Sequence, residues 1–243
     1  CRIHDQSDER GRSRKRPNLL REEPLRLGRF FYGKILNPQY AQHKQICVVS
    51  DMFKFYSERI FPHVLDRVMQ VASLTELRQQ LITPITGHVV EIGFGTGLTL
   101  PCYGAGVLSL TTVDPNAGVA KLAEQRMQNI RFPIQQKLIS AERLPFDDAS
   151  VDTVVSTWTL CSIPDVVSAL QEIKRILKPN GVFHFVEHGL SAKPNVARWQ
   201  QRLTPIQKVV ADGCHLDRDM VALLNQAGFS WLACQQHDVV GAL

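Results

Sequence analysis

Three observations predict a doubly wound, mostly parallel α/β sheet preceded by an N-terminal helical extension. An apolar, strand-like run at 87–92 ends in glycines at every second position, Gly93, Gly95 and Gly97. Further apolar runs of strand length alternate with segments of helical period, the order that a parallel sheet with crossover helices requires. Acids follow two of the strands, Asp114 and Glu142, where the loops of such a sheet meet their ligand.

The glycine loop comes first because it discriminates between ligands. Glycines are needed where the backbone turns sharply after a strand and approaches a ligand that any Cβ would obstruct. A dinucleotide fingerprint is G-x-G-x-x-G, but counting from Gly93 its last position is Leu98. A Walker loop also fails, since no Gly-Lys-Ser/Thr follows and no lysine or arginine occurs from 87 to 119. A loop without cations suits a ligand that is not a polyphosphate. Glu91, just before the glycines, would favour a positively charged one such as a sulfonium. An ordinary tight strand-to-helix turn is the alternative.

Before the loop, Asp51 reads as the N-cap of a helix with a broad apolar stripe (Met52, Phe53, Phe55, Tyr56, Ile60, Val64, Leu65, Val68, Met69) and a kink at Pro62. Most of that stripe is expected to pack in the core, with Tyr56 near the ligand mouth. Ser73-x-x-Glu76 announces a second short helix as a capping box. After the loop, 108–113 is a second strand ending at Asp114-Pro115-Asn116. There a carboxylate can accept from both hydroxyls of a ribose, or cap the helix 117–128. Strand three is expected at 134–139 and strand four at 151–156. Asp165 caps a helix to Leu177 that stops at Lys178-Pro179-Asn180-Gly181, and strand five is 182–186. The loops to watch are 93–98, 114–116, 140–144, 157–164 and 187–190.

Composition narrows the classes. At 27.4 kDa and 44% hydrophobic residues, one α/β domain with an extension is expected. The boundaries read as a basic tail (1–24), lead-in and helices (25–82) and a ligand-binding domain (83–243). The net charge of +5 is concentrated at residues 1–29, which hold nine Arg/Lys against five acids. A basic tail on a near-neutral domain argues against nucleic-acid binding by the fold, though residues 1–49 could touch an anionic membrane surface. Six scattered cysteines without a C-x-x-C pair suggest neither a disulfide framework nor a zinc cluster, and point to a reducing compartment, cytoplasmic or inside an organelle. No run reaches the ~20 apolar residues of a membrane span. Because the first residue is Cys1, something upstream is expected.

The linked motifs Val-Val-Glu-Ile-Gly-Phe-Gly-Thr-Gly (89–97), Val-Asp-Pro-Asn (113–116), Ala-Glu-Arg-Leu-Pro-Phe-Asp-Asp-Ala-Ser-Val-Asp (141–152), Thr-Leu-Cys-Ser-Ile-Pro-Asp (159–165) and Glu-Ile-Lys-Arg-Ile-Leu-Lys-Pro-Asn-Gly (172–181) resemble class I S-adenosylmethionine-dependent methyltransferases in order and spacing. The resemblance covers about 52–238. It is closest to the small-molecule and lipid branch, with its quinone-biosynthesis, phospholipid N-methyl and thiol S-methyltransferases. It implies a Rossmann-like fold, S-adenosyl-L-methionine as cofactor and a small-molecule or lipid acceptor. Gly93, Gly95 and Gly97 would line the methionine and ribose portion, with Glu91 beneath the loop. Asp114 would hold the ribose hydroxyls and Asn116 would lie near the adenosine. Ala141 and Glu142 would meet adenine, and Thr157 and Trp158 would face the methyl group. Relatives finish with strands six and seven; 229–237 can supply the first, but the chain ends at Leu243 without room for the second.

Methyl transfer is an in-line displacement that needs alignment and a dry pocket rather than a catalytic triad. For a thiol acceptor a base would help, and His188 and His215 are the candidates, each with a structural role as the alternative. His184-Phe-Val-Glu187-His188 spells an inverted zinc-protease motif, but on a strand its histidines stand roughly 13 Å apart, beyond one ion. Cys214-His215 has no further ligands nearby in sequence, so no metal is expected. Arg198 and Trp199 begin an amphipathic helix that could roof the acceptor pocket. The alternative function is a non-catalytic binding module that keeps the fold.

Overall fold

The computed structural model describes residues 51–128 and 130–230. The tail at 1–24, the first half of the lead-in and nearly all of the expected strand six lie outside the described residues.

Five parallel strands form one sheet in the order β3-β2-β1-β4-β5. They are β1 (Gly87–Ile92), β2 (Val107–Val113), β3 (Ile134–Lys137), β4 (Val151–Thr157) and β5 (Leu177–Val186). Chain order runs outward from β1 to β3 and then reverses across β1 to β4, so β1 and β4 flank the switch point. Their carboxyl ends are the ligand crevice of such a sheet. This is the doubly wound architecture that the strand spacing predicts.

Successive strand residues point to opposite faces, and both faces of a parallel sheet are covered. Val90, Ile92 and Val154 face one apolar layer, closed by α4 (Val166–Ile176) and α6 (Met220–Gln226). Val89, Leu110 and Val155 face the other, closed by α2 (Ala72–Ile82) and α3 (Ala117–Met127). Leu170, Ile173 and Ile176 on α4 are fully buried, each worth about 1.5–3 kcal/mol of transfer free energy.

Several local expectations need correction. Asn116, directly before the first helical residue, caps α3 by accepting from the amides of Gly118 and Val119; Asp114 is two residues too early. The capping box does not form, because α2 starts at Ala72 and encloses Ser73. Residues 51–55 are already helical, so Asp51 does not precede that helix. Pro62 is accommodated not by a simple kink but by a π-helical turn (Tyr56–Ile60) leading into α1 (Phe61–Val68), where it occupies the first turn and needs no amide partner. The apolar stripe of this helix is largely on the outside: Met52, Phe53, Phe55, Ile60, Val64 and Val68 are exposed. The inward side carries the half-buried Tyr56, Ser57 and Glu58, and the Glu58 backbone lies against Gly118, where an added Cβ would come within 2.1 Å of Glu58 O. Strand three stops at Lys137. The turn at 178–181 is absorbed into β5 as an irregularity, with Val151 opposite Leu177 but Thr153 opposite Val182. No helix among the described residues is long and apolar enough to cross a membrane.

Candidate active site

The glycine loop leaves β1 in left-handed backbone conformations at Gly93, Gly95 and Gly97 (φ +68°, +57°, +79°). At Gly93 an added Cβ would sit 1.9 Å from Thr159 Oγ1, so the loop after β4 packs directly on it, with that hydroxyl donating to Gly93 O (3.2 Å). At Gly95 the nearest atom to an added Cβ is Gly93 O at 3.9 Å, which leaves this side of the loop open for a ligand. Two residues that sequence reading missed brace the loop from helices. Asp66 of α1 accepts from Thr96 Oγ1 (2.6 Å), and Arg126 of α3 donates to Thr96 O (2.7 Å) and pairs with Asp66 (3.0 Å).

Glu91 lies beneath the loop, as expected, but not as an exposed counter-charge. It is fully buried, and its Oε2 accepts from Thr99 Oγ1 (3.0 Å) and Tyr103 OH (2.9 Å) while Oε1 has no hydrogen-bond partner. Burial pushes its pKa up to about 8, against those two donors and the nearby Arg78. The carboxyl is therefore mostly protonated at neutral pH. Arg78, from α2, is the cation near Glu91: its guanidinium stacks on Trp158 at 5.2 Å and donates to Met69 O.

Asp114 stands at the end of β2, one carboxylate oxygen accepting from Gly95 N (2.9 Å) and the other from Asn116 N (2.9 Å). Each oxygen has capacity to accept a further hydrogen bond. Burial raises its pKa, opposed by these amides. Asn116 Nδ2 donates to Ser57 O and Oγ and to Asp212 Oδ2, all at 3.0 Å, so the π-helical turn and the loop after the long helix α5 (Pro194–Val210) meet at one side chain. Tyr56 OH adds a bond to Val210 O (2.7 Å).

Ala141 is buried in the core. Glu142 beside it is fixed by Ser140 Oγ (2.9 Å) and by the amide of Asp165 (2.7 Å). Thr157 closes β4 and Trp158 follows with φ +51°, a left-handed conformation that a bulky residue adopts only where its surroundings impose it. Its amide donates to Val186 O (2.8 Å).

Past Trp158 the structure assembles a group that the sequence does not announce. Glu187, at the end of β5, accepts from the amides of Thr159 and Leu160 (2.5 and 2.7 Å), and burial raises its pKa to about 7. Next to it, His188 Nε2 lies 3.2 Å from Cys214 Sγ. Cys161 completes a trio whose ligating atoms all lie within 4.8 Å of one another. Hydrogen bonding from Cys161, aided by His188, makes Cys214 the more acidic thiol, and Cys161 is raised in turn. The expectation that Cys214 has no further ligand neighbours is thus overturned, because residues distant in sequence converge on it. His215 is not one of the trio: its Nδ1 donates to Cys161 O (3.2 Å), so in a neutral ring the lone pair is on Nε2.

These features follow one known pattern. A family model described as a methyltransferase domain matches residues 90–185. Methyltransferases of this kind use S-adenosyl-L-methionine as cofactor, and the Asp114 carboxylate beside the open side of Gly95 would suit its ribose. The chain is 36% identical to a thiol S-methyltransferase of Rattus norvegicus over 146 residues, 58% of this chain and 59% of that protein. It is 34% identical to one of Homo sapiens over 152 residues, 60% and 62% of the two chains. The chain thus spans about three fifths of the length of these curated relatives. In structure the chain is similar to an S-adenosylmethionine-dependent methyltransferase from Thermotoga maritima (TM-score 0.53, 23% identity, 74% of this chain and 82% of that one), a likeness of fold.

Proposed function

We propose that this protein transfers the methyl group of S-adenosylmethionine to a small, fairly apolar acceptor, with a thiol as the first choice. The observation that carries the reading is the Asp114 carboxylate, bonded to the Gly95 amide on the open side of the glycine loop. A carboxylate held there presents two acceptors to a ribose diol, and the backbone around Gly95 leaves the sugar room. When bound, the cofactor supplies a methyl group on a sulfonium that is electrophilic without further activation. The chain's own residues then have to bind, orient and exclude water. Gly93, Gly95 and Gly97 would shape the cradle, Ala141 and Glu142 the adenine end, and Thr157 and Trp158 the methyl end. The choice of a thiol rests on the rat and human relatives, both named as thiol S-methyltransferases. A thiol must lose its proton to react, and of the two histidines His215 offers a free Nε2 for that proton.

Isothermal titration tests the cofactor, and an acceptor panel tests the reaction. Wild type should bind S-adenosylmethionine and Asp114→Ala should bind it roughly 10- to 100-fold more weakly, the loss of hydrogen bonds to a charged group. With thiol, amine, phenol and quinol acceptors, S-adenosylhomocysteine should appear with a thiol. A folded protein that binds the cofactor yet releases no S-adenosylhomocysteine with any acceptor would favour the non-catalytic module.

A further inference from the structure

We propose that Cys161, His188 and Cys214 form a binding site for a zinc-type divalent cation, with two thiolates and one imidazole as ligands and the fourth tetrahedral position left to an exogenous ligand. The proposal does not depend on the identity of the methyl acceptor.

Geometry comes first. Zinc takes sulfur at about 2.3 Å and imidazole nitrogen at about 2.0–2.1 Å, so tetrahedral ligand atoms stand roughly 3.5–3.8 Å apart. Here the three atoms lie within 4.8 Å of one another, and the edge from His188 Nε2 to Cys214 Sγ is 3.2 Å. Closing on a cation therefore asks for edge changes of at most about 1 Å, within the reach of side-chain rotation rather than a rearrangement.

The scaffold holds these positions independently of any ion. Cys161 sits in a turn in which the Ser162 amide donates to Thr159 O (2.8 Å). His188 follows Glu187, which is pinned by the amides of Thr159 and Leu160. Cys214 follows Gly213 in a left-handed turn, where an added Cβ would come within 3.0 Å of Ser162 O. The next amide, His215 N, donates to Cys161 O (2.9 Å), so the two cysteine loops are bonded to each other. Three segments of the chain thus meet with their soft ligands converging.

Ligand type and charge select the ion. Two thiolates and an imidazole suit zinc and its neighbours over magnesium or calcium, which prefer oxygen. The cysteines are 2% and 7% exposed. Two thiolates balance a dication, so the filled site carries no net charge into a buried place. Among the described residues no fourth His, Cys or carboxylate joins the trio. Three protein ligands with an open position are the pattern of reactive rather than structural zinc.

Cobalt(II) is the probe, with the full chain reduced and stripped of metal. Cobalt should bind with one-to-one stoichiometry, develop thiolate-to-cobalt charge-transfer and tetrahedral ligand-field bands, and be displaced by zinc. Cys161→Ser and Cys214→Ser should each weaken binding by more than roughly tenfold. Cys102→Ser, whose thiol lies instead beside Arg78 and Glu91, should leave it unchanged. If a serine variant does not fold by circular dichroism, competition for zinc between the unsubstituted chain and a chromophoric chelator decides: retained zinc supports the site and free transfer to the chelator overturns it. The proposal is also overturned if the reduced chain shows no charge-transfer band, if the bands survive both serine substitutions, or if Cys161 and Cys214 form a disulfide in protein purified with zinc present.

Discussion

At the scale of the residue, Gly93 and Gly95 are two glycines with the same backbone demand and different surroundings. Both have positive φ, so alanine at either costs about 1 kcal/mol or more. At Gly93 the new Cβ also collides with Thr159, which adds overpacking of roughly 1–3 kcal/mol. Gly93→Ala should therefore lower the urea midpoint markedly. Gly95→Ala should lower it less and instead weaken cofactor binding, since its Cβ enters the open side of the loop. Equal stability losses with unchanged affinity would contradict this assignment of the two sides. Glu91 yields a pH prediction of known sign. Its folded pKa, about 8, exceeds the ordinary 4.5, so the folded state holds a proton that the unfolded chain releases. That contribution to stability is fully present below about pH 4.5 and is lost as pH rises through 8. Glu91→Gln, which cannot ionise, should flatten the stability profile measured by denaturation across this window. An unchanged slope would show that other groups set it.

At the scale of the element, the strands and their order were legible because parallel strands buried on both faces must be apolar throughout, as at Val89–Val90 and Val154–Val155. Asp114 was legible too, being tied by chain connectivity to the end of β2. Cap positions were less so: Ser73 and Asp114 have the right chemistry, but each lies two residues from the observed cap position, Val71 and Asn116. Least legible were contacts that exist only after packing. Asp66 and Arg126 reach the glycine loop from two helices and Arg78 reaches Trp158 from a third, and nothing in their local sequence marks them. The same holds for Cys161, His188 and Cys214, which read singly as a scattered cysteine, a candidate base and a thiol without ligands nearby in sequence. The Asp66–Arg126–Thr96 brace is a test of this element-level coupling. Its charged partners are about one quarter exposed, so Arg126→Ala should cost about 1 kcal/mol of stability. If the brace holds the loop ready for ligand, cofactor affinity should fall about fivefold, the factor corresponding to 1 kcal/mol. Calorimetric titration showing full affinity would reduce the brace to a structural role.

At the scale of the whole molecule, the cofactor crevice is closed by segments far apart in the chain that meet at Asn116. Its Oδ1 caps α3, while its Nδ2 joins Ser57, 59 residues earlier, to Asp212, 96 residues later. One side chain thus carries a local function and a global one, and the two can be separated. Serine is as good an N-cap as asparagine, but it is too short to reach Ser57 and Asp212 while capping. Asn116→Ser should therefore keep stability without ligand within about 1 kcal/mol of wild type, whereas Asn116→Ala should lose about 1 kcal/mol more with the cap. A ligand at one hundred times its dissociation constant stabilises a protein by about 2.7 kcal/mol. At one fixed cofactor concentration giving that gain in wild type, Asn116→Ser should gain about 1 kcal/mol less, because binding must now order the π-helical turn and the loop at Asp212 itself. Thermal unfolding of the three proteins with and without S-adenosylmethionine measures both quantities. A serine variant with the full wild-type ligand shift would mean that these segments close over the crevice without assisting the cofactor.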